Sequence, residues 1–203
     1  FHGGLDIVTA GSVAATRLRL LANRADSTAA GFVVYGRAAR FTDSEVSGNT
    51  SSSDTNLLVS ADAGAGAAVL DRVTIAGNRI LGAGSDAGLI VTTAVGALLR
   101  DVTIVGNAVR GRPSGAMTLV SALDVGGPAK LRNVTIARNT TTNGTGFRAD
   151  STVDVANSIL DDGCQLAGAV TSQGGNLTAT TDTRTVNITV SSQDGGSQIQ
   201  DAI

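Results

Sequence analysis

The stretch Val73-Thr74-Ile75-Ala76-Gly77-Asn78 recurs twice further along the chain, as Val102-Thr103-Ile104-Val105-Gly106-Asn107 and as Val134-Thr135-Ile136-Ala137-Arg138-Asn139. Weaker copies end at Asn23 and Asn49, and a degenerate copy ends at Asp162. The closing residues of these copies are 26, 29, 29, 32 and 23 positions apart. Self-similarity at a period of this size is the signature of a repeat architecture. The variable spacing around a constant motif indicates loops of variable length between constant strands.

Each copy alternates between two kinds of side chain. Apolar β-branched residues such as Val73 and Ile75 share one parity, and Thr74 lies between them, which is typical of a β-strand. A second strand is predicted ahead of each copy, within residues 4–9, 31–35, 56–59, 88–92 and 116–120. Because equivalent strands lie one repeat apart and must run the same way, the sheets are predicted to be parallel.

The predicted fold class is all-β: a right-handed parallel β-helix, that is, a solenoid of about seven rungs of 23–32 residues. Its strands would stack at roughly 4.8 Å. We expect a single domain over residues 1–203, with a less regular C-terminal rung over residues 178–203. A leucine-rich repeat is the main alternative, but its Leu-x-x-Leu-x-Leu frame is missing. A β-propeller would need blades of about 40 residues with aromatic marks.

The composition excludes several classes of function. Apolar residues make up 42% of the 203-residue chain and aromatic residues only 2%, which favours an interior filled by small aliphatic side chains. The net charge of −2 comes with no basic patch, so we expect no nucleic-acid partner. Because no apolar stretch reaches about 18 residues, we also expect no membrane span. The single cysteine, Cys164, permits no internal disulfide.

The repeat also predicts three columns of stacked side chains. Asparagine tolerates left-handed backbone conformations and its amides can bond from one stacked strand to the next. We therefore expect a structural asparagine ladder at one bend: Asn23, Asn49, Asn78, Asn107 and Asn139. The residue before the repeated strand alternates in charge and predicts a salt-bridge ladder: Arg17, Asp43, Arg72 and Asp101, followed by Asn133. The outward position within that strand reads Arg19, Glu45, Thr74, Thr103, Thr135 and Ser158.

Further motifs of the chain resemble those of a known family. The Asx-Val-Thr-Ile-x-x-Asn rungs are followed by Ala-Asn-Ser-Ile-Leu at residues 156–160, by Cys164, and by Thr-Ser-Gln-Gly-Gly-Asn-Leu at residues 171–177. In this order they are similar to bacterial right-handed parallel β-helix repeat proteins, the secreted and surface proteins related to polymorphic outer-membrane-protein repeats. The resemblance covers about residues 14–177. It implies an extracellular or bacterial cell-surface location and a role as adhesin, passenger or structural module.

The sequence offers few candidates for chemistry, and we predict no catalytic, cofactor-binding or metal-binding residue. The adjacent Asp161 and Asp162 are best interpreted as turn formers, because adjacent residues of a strand point to opposite faces. Asp43 and Asp71 alternate with arginines, which favours an ion-paired face over the convergent carboxylates that a glycosidase needs. The only histidine, His2, lies near the terminus, which argues against a histidine-based triad or a zinc site.

No cap is visible at either end of the repeat array, although a solenoid exposes strand edges and apolar layers there. We therefore expect either a segment of a longer β-helix or a subunit that stacks end to end with its copies into a fibre. The leading hypothesis is a non-enzymatic structural or adhesive protein. The alternatives are a carbohydrate-active β-helix, either polysaccharide lyase or glycoside hydrolase, and a carbohydrate-binding passenger with cell-surface polysaccharide as its partner. The shortage of aromatic side chains argues against sugar stacking.

Overall fold

The computed structural model describes residues 5–25, 32–51, 57–61, 66–81, 87–93, 95–109, 121–141, 145–166, 168–178 and 188–190. These residues form β-strands joined by bends and turns, and none of them lies in a helix. In chain order the strands are β1 (Leu5–Val8), β2 (Ser12–Thr16), β3 (Arg19–Leu21), β4 (Arg24–Ala25), β5 (Phe32–Gly36), β6 (Ala38–Ser47), β7 (Thr50–Ser51), β8 (Leu57–Ala61), β9 (Ala68–Ala76), β10 (Arg79–Ile80), β11 (Ala87–Thr93), β12 (Ala97–Arg100), β13 (Thr103–Val105), β14 (Ala108–Val109), β15 (Ser121–Val125), β16 (Ala129–Arg132), β17 (Thr135–Ala137), β18 (Thr140–Thr141), β19 (Thr145–Ala149), β20 (Val153–Ala156), β21 (Ile159–Leu160), β22 (Cys164–Leu166), β23 (Val170–Ser172), β24 (Leu177–Thr178) and β25 (Ile188–Val190).

The strands form three sheets in which neighbouring strands are parallel. Sheet A has the order β1-β5-β8-β11-β15-β19-β22 and sheet C the order β18-β14-β10-β7-β4, while sheet B joins the remaining strands. In its first five repeats the chain passes through sheet A, then B, then C, and returns to A. Repeats 1 to 7 begin with the sheet A strands, at Leu5, Phe32, Leu57, Ala87, Ser121, Thr145 and Cys164. The result is an all-β, curled stack of parallel strands.

Inward side chains form columns that continue from one repeat to the next. One column in sheet B is made of alanines, and the column two residues further along the strands is larger: Ala39, Ala68, Ala97 and Ala129, then Phe41, Leu70, Leu99 and Leu131. The repeated motif supplies a third column: Val46, Ile75, Ile104, Ile136 and Leu160. All of these side chains are at most 4% exposed. Burial of each large aliphatic side chain stabilises the stack by about 1.5–3 kcal/mol.

Two positions in the repeat hold a left-handed backbone conformation. The first lies within sheet B, ahead of the repeated strand, and has φ between 49° and 56°: Arg17, Asp43, Arg72, Asp101, Asn133 and Asn157. The second immediately precedes the motif's asparagine and has φ between 54° and 64°: Ala22, Gly48, Gly77, Gly106 and Arg138. The left-handed conformation that motivated the asparagine prediction therefore belongs to the residue before each asparagine. The charged column lies at a bend between strand segments.

The predicted register is wrong in the last copy of the motif. Thr135 pairs with Ile159, so Ile159 occupies the outward column with 41% exposure, and Ser158 is fully buried. The Ser158 hydroxyl donates to the Ala156 carbonyl and accepts from the Val134 N–H. Leu160 pairs with Ile136, yet Asp162 follows Leu160 by one residue fewer than Asn139 follows Ile136. The bend after β21 is therefore one residue shorter than in the copy before it. As a result, aligning the motif copies by their closing residues places the residues of β21 one position away from their true partners in β17.

Two expectations fall wholly or largely outside the described residues. The strand predicted within residues 116–120 is one of them, and β15, at Ser121–Val125, occupies that place in sheet A. Of the predicted less regular rung at residues 178–203, the structure describes Thr178 and Ile188–Val190. Both the irregular character of that rung and the single domain over residues 1–203 stay predictions.

Candidate functional site

The motif's asparagines are joined into one hydrogen-bonded ladder. The backbone N–H and the Nδ2 of each asparagine both donate to the Oδ1 of the next, at 2.9–3.0 Å, in the order Asn23, Asn49, Asn78, Asn107 and Asn139. The second Nδ2 hydrogen goes to a carbonyl in the preceding repeat, as from Asn78 to Val46 and from Asn107 to Ile75. Asn49, Asn78 and Asn107 are at most 1% exposed. Each interior amide is thus fully satisfied, as a buried amide must be to avoid a desolvation cost.

The ladder ends at a residue that can only accept. Asp162 Oδ2 takes two hydrogen bonds from Asn139, 2.9 Å from the backbone N and 2.7 Å from Nδ2. An ionised carboxylate has no hydrogen to donate onward. Asp162 therefore accepts the hydrogen bonds that a further asparagine would accept, but it donates none to a following repeat. Its interpretation as a turn former did not include this role.

The charged column lies on the outer face, and only some of its neighbouring members form hydrogen bonds with each other. Arg72 pairs with Asp43 through two hydrogen bonds, from Nε to Oδ1 at 2.5 Å and from Nη2 to Oδ2 at 3.1 Å. Asn133 Nδ2 donates to Asp101 Oδ1 at 2.8 Å. Among the described residues, no hydrogen bond or ion pair joins Arg17 to Asp43 or Arg72 to Asp101. The hydrogen bonds from Arg72 lower the pKa of Asp43, and those same bonds raise the pKa of Arg72.

Asp71 is the buried centre of this outer face. Its side chain is 3% exposed, and arginines from three consecutive repeats cover it. Arg100 donates from Nε at 3.1 Å and from Nη2 at 2.5 Å, Arg72 Nη1 lies 3.0 Å away, and Arg40 Nη2 is at 4.0 Å. The hydrogen bond from Arg100 is the main cause of a lowered pKa at Asp71, and it raises the pKa of Arg100. The sequence indicated an ion-paired face here, but it did not indicate that the carboxylate is buried.

A cleft of about 570 Å³ lies at the start of the sheet B strands β12, β16 and β20. It is lined by the exposed Val95, by the only lysine, Lys130, and by Asp154. Arg132 Nη2 binds Asp154 Oδ2 at 2.6 Å, whereas the buried Oδ1 has no hydrogen-bond partner in the described part of the chain. Lys130 forms no ion pair with any described residue. The cleft thus offers an ammonium group that has no ion-pair partner among the described residues, and no sequence motif predicted this cleft.

The other groups that carry chemistry are dispersed. In the segments that the structure describes, no three His, Cys, Asp or Glu side chains form a group that could hold a metal ion. Cys164 is a free thiol, and burial raises its pKa to about 12, so it is protonated at neutral pH. A protonated thiol is a poor nucleophile and a poor metal ligand. Cys164 therefore adds nothing to the chemistry of the outer face.

Comparison with known proteins found no relative of this chain: no family model matches it, and neither does a curated protein or a solved structure. The described part of the chain also contains no helix with the length and apolar character that crossing a membrane requires.

Proposed function

We propose that the chain is a right-handed parallel β-helix that serves as a non-enzymatic structural or adhesive module, outside the cell or on a bacterial cell surface. The observation that carries the proposal is the pairing of the outward carboxylates with arginines. Arg72 holds Asp43, Arg100 holds Asp71 and Arg132 holds Asp154. The hydrogen bonds from Arg72 and Arg100 lower the pKa of Asp43 and Asp71, and a carboxylate with a lowered pKa is a poor general acid because it has no proton to give at neutral pH. The paired carboxylates of this outer face therefore fit a stabilising role better than a catalytic one.

The solenoid part of the proposal is supported by the constant order of the sheets. Each of the first five repeats contributes a strand to sheet A, then to B, then to C, and neighbouring repeats pair in parallel. The asparagine ladder spans the same repeats at separations of 26, 29, 29 and 32 residues. The location is supported by the resemblance of about residues 14–177 to secreted and surface β-helix repeat proteins.

An activity screen combined with cell labelling tests this function. We expect the purified chain to release neither reducing ends nor unsaturated sugars from a panel of neutral and acidic polysaccharides. We expect an antibody against the chain to label intact cells that make the full-length protein. Polysaccharide turnover that disappears in Asp71→Asn or Asp154→Asn would replace the proposal with the carbohydrate-active alternative. Labelling only after lysis would remove the surface location.

The cleft favours a second candidate, a carbohydrate-binding passenger. The hydroxyls of a saccharide both donate and accept, so they can bond the Lys130 ammonium and the Thr171 and Gln173 side chains that also line the cleft. The exposed Val95 adds an apolar contact for a sugar ring.

Glycan-array binding of matched variants tests this candidate. Arg138 is the control, because it is an exposed cation outside the cleft with no ion pair to a described residue. Binding that is lost in Lys130→Ala and kept in Arg138→Ala would support a saccharide site. Equal loss in both variants would indicate attraction to charge alone.

A further inference from the structure

The cleft beside Lys130 lies on the side of the stack, and its lining comes from repeats 3 to 7. Described strands continue on both sides of it, because β12 pairs with β9 and β23 pairs with β25. Its volume of about 570 Å³ falls within the range of clefts that hold small organic ligands. The chemistry of its lining therefore indicates what it can bind.

One column of outward side chains crosses the cleft, and its character changes from repeat to repeat. In register from repeat 4 to repeat 7 the column reads Leu98, Lys130, Asp154 and Thr171. All four side chains line the cleft. Strands of neighbouring repeats are roughly 4.8 Å apart, so the four positions span about 14 Å. Along this distance the lining passes from an aliphatic side chain through two charged groups to a hydroxyl.

The cleft is apolar in repeats 3 and 4, where the lining consists of Ala67, Val95, Gly96, Ala97 and Leu98. Val95 is 52% exposed, and Leu98 is half-buried. The Gly96 carbonyl accepts from the Ala68 N–H at 3.1 Å, and the Ala97 N–H donates to the Pro128 carbonyl at 2.8 Å. Exposed aliphatic surface gains free energy when an apolar ligand group removes it from water. This end of the cleft therefore matches an aliphatic chain.

The cleft is polar in repeats 5 to 7. Lys130 is exposed, can only donate, and forms no ion pair with a described residue. Arg132 holds Asp154 from Nη2 to Oδ2 at 2.6 Å and from Nη1 to the Asp154 carbonyl at 2.9 Å. This leaves the buried Asp154 Oδ1 without a hydrogen-bond partner in the part of the chain that the structure describes. Because Lys130 lacks an acceptor and Asp154 Oδ1 lacks a donor, this end matches neighbouring hydroxyls, which both donate and accept.

We propose that the cleft binds an amphiphile of the glycolipid class, with its sugar head at Lys130 and Asp154 and its aliphatic chain along Val95 and Leu98. An anionic head without hydroxyls would satisfy Lys130 and leave Asp154 Oδ1 without a donor. A free sugar would leave part of the aliphatic lining in contact with water. The inference deepens the carbohydrate-binding candidate and rests on its assignment of this cleft to a saccharide.

Calorimetric titration of the intact chain with soluble alkyl glycosides tests the ligand class. The probes are octyl glucoside and octyl galactoside below their micelle-forming concentrations. The corresponding methyl glycosides supply the head alone, and octan-1-ol supplies the chain alone. We expect an octyl glycoside to bind about tenfold more tightly than either control, since each CH₂ group that leaves water strengthens binding by up to about fourfold.

The outcomes separate this inference from the saccharide candidate, which the glycan array tests on its own. Equal affinity for octyl and methyl glycosides overturns the inference and leaves a saccharide site standing. Equal affinity for octan-1-ol and the octyl glycosides overturns it in favour of a purely apolar site. Absence of binding by both octyl glycosides overturns it as well.

Matched variants assign the two halves of the ligand, with circular dichroism confirming that each variant folds. Val95→Ser should shrink the preference for the octyl over the methyl glycoside by about threefold or more, because it removes aliphatic contact with the chain. Leu81→Ser is its control, since Leu81 is 43% exposed and lies outside the cleft. Lys130→Ala should weaken binding of the octyl glycosides by a similar factor, and Arg138→Ala should not. Equal effects within either pair of variants would overturn the placement of that half.

The only lysine gives a measurement that needs no substitution. Reductive methylation with a carbon-13 reagent labels Lys130 and keeps its positive charge. Saturation with an octyl glycoside should shift the dimethyllysine resonance more than saturation with octan-1-ol does. A resonance that stays unchanged at saturation would overturn the placement of the sugar head at Lys130.

Discussion

Asn139 Oδ1 accepts two hydrogen bonds from Asn107, from the backbone N at 3.0 Å and from Nδ2 at 2.9 Å. One side-chain oxygen thus satisfies both the main chain and the side chain of the repeat before it. This relationship recurs along the ladder. At each bend it gives hydrogen-bond partners to backbone and side-chain groups that would otherwise be buried without any. The ladder therefore fixes how neighbouring repeats stack, and its removal should be costly.

Asn107→Ala should lower the free energy of unfolding by about 3 kcal/mol. The substitution leaves the Asn78 N–H and Nδ2 without their acceptor and the Ile75 carbonyl without its donor, and each unsatisfied buried group costs about 1–3 kcal/mol. Urea unfolding gives the measurement. Thr74→Ala on the exposed face is the control and should cost little. Equal losses in the two variants would mean that the ladder is not a stabilising contact.

Arg138→Gly should stabilise the protein by about 1 kcal/mol. Arg138 has φ of 56°, a conformation that costs a side-chain-bearing residue about 1–2 kcal/mol, and glycine occupies the same position in repeats 2, 3 and 4. Part of this gain is offset by the entropy that glycine adds to the unfolded chain. Arg138→Ala is the matched control, because it removes the side chain and keeps the strain. Thermal unfolding should rank glycine above both arginine and alanine.

Gly106→Ala should cost about 1 kcal/mol for the same reason. Gly106 has φ of 64°, and an added Cβ would meet no atom within 4 Å, so only backbone strain opposes the substitution. The same unfolding assay applies, and Ala76→Gly in a neighbouring strand shows what glycine does at a position without positive φ. An unchanged stability for Gly106→Ala would contradict a left-handed bend at this residue.

Asp71→Asn should flatten the acid limb of the stability curve. The pKa of Asp71 in the folded state is lowered from its ordinary value of 3.8, chiefly by the hydrogen bond from Arg100. A lowered folded-state pKa stabilises the protein fully above the unfolded-state value and loses that contribution as pH falls through the folded-state value. Wild type should therefore lose stability as pH drops below about 4, and Asp71→Asn should lose less.

Urea unfolding at several pH values measures this difference between the two proteins. The pKa values of Asp43 and Glu45 are also lowered, by Arg72 and Ser47 respectively, so some acid sensitivity remains in the variant. Asp161→Asn is the exposed control, since Asp161 makes no side-chain hydrogen bond or ion pair with a described residue. Parallel curves for wild type and Asp71→Asn would show that the arginine cluster does not hold this carboxylate.

Exchange of the paired charges tests the salt-bridge column. Asp43→Arg should destabilise the fold, because it places a second guanidinium beside Arg72. The double variant Asp43→Arg, Arg72→Asp should recover part of the loss, since arginine and aspartate both occur at this left-handed position. The recovery is partial because Arg72 also donates to the buried Asp71. Thermal unfolding at low and high salt measures the effect, which should shrink as salt screens it. No recovery in the double variant would mean that Asp43 acts through its backbone conformation alone.

The sequence was most informative where the alternation of inward and outward side chains recurs in every copy of the repeat. It predicted parallel strands with Val and Ile inward, and it selected the asparagines that the structure brings together. It missed the position of Ser158, because the closing residues align at a spacing of 23 while the strands pair at 24. It also missed the burial of Asp71, because the arginines that cover this side chain come from repeats that no local pattern connects.

The repeat, the alternation of side chains within each copy and the column of asparagines depend on residue type and spacing along one chain, so they can be recognised in the amino-acid sequence alone. The left-handed backbone positions, the pairing of each arginine with its aspartate and the two ends of the asparagine ladder become visible only in the folded structure. Those features depend on the offset between stacked repeats, which the bend lengths set. Asn23 and Asp162 look like ordinary members of a repeat in the sequence, and their different hydrogen bonds appear only when the repeats are stacked.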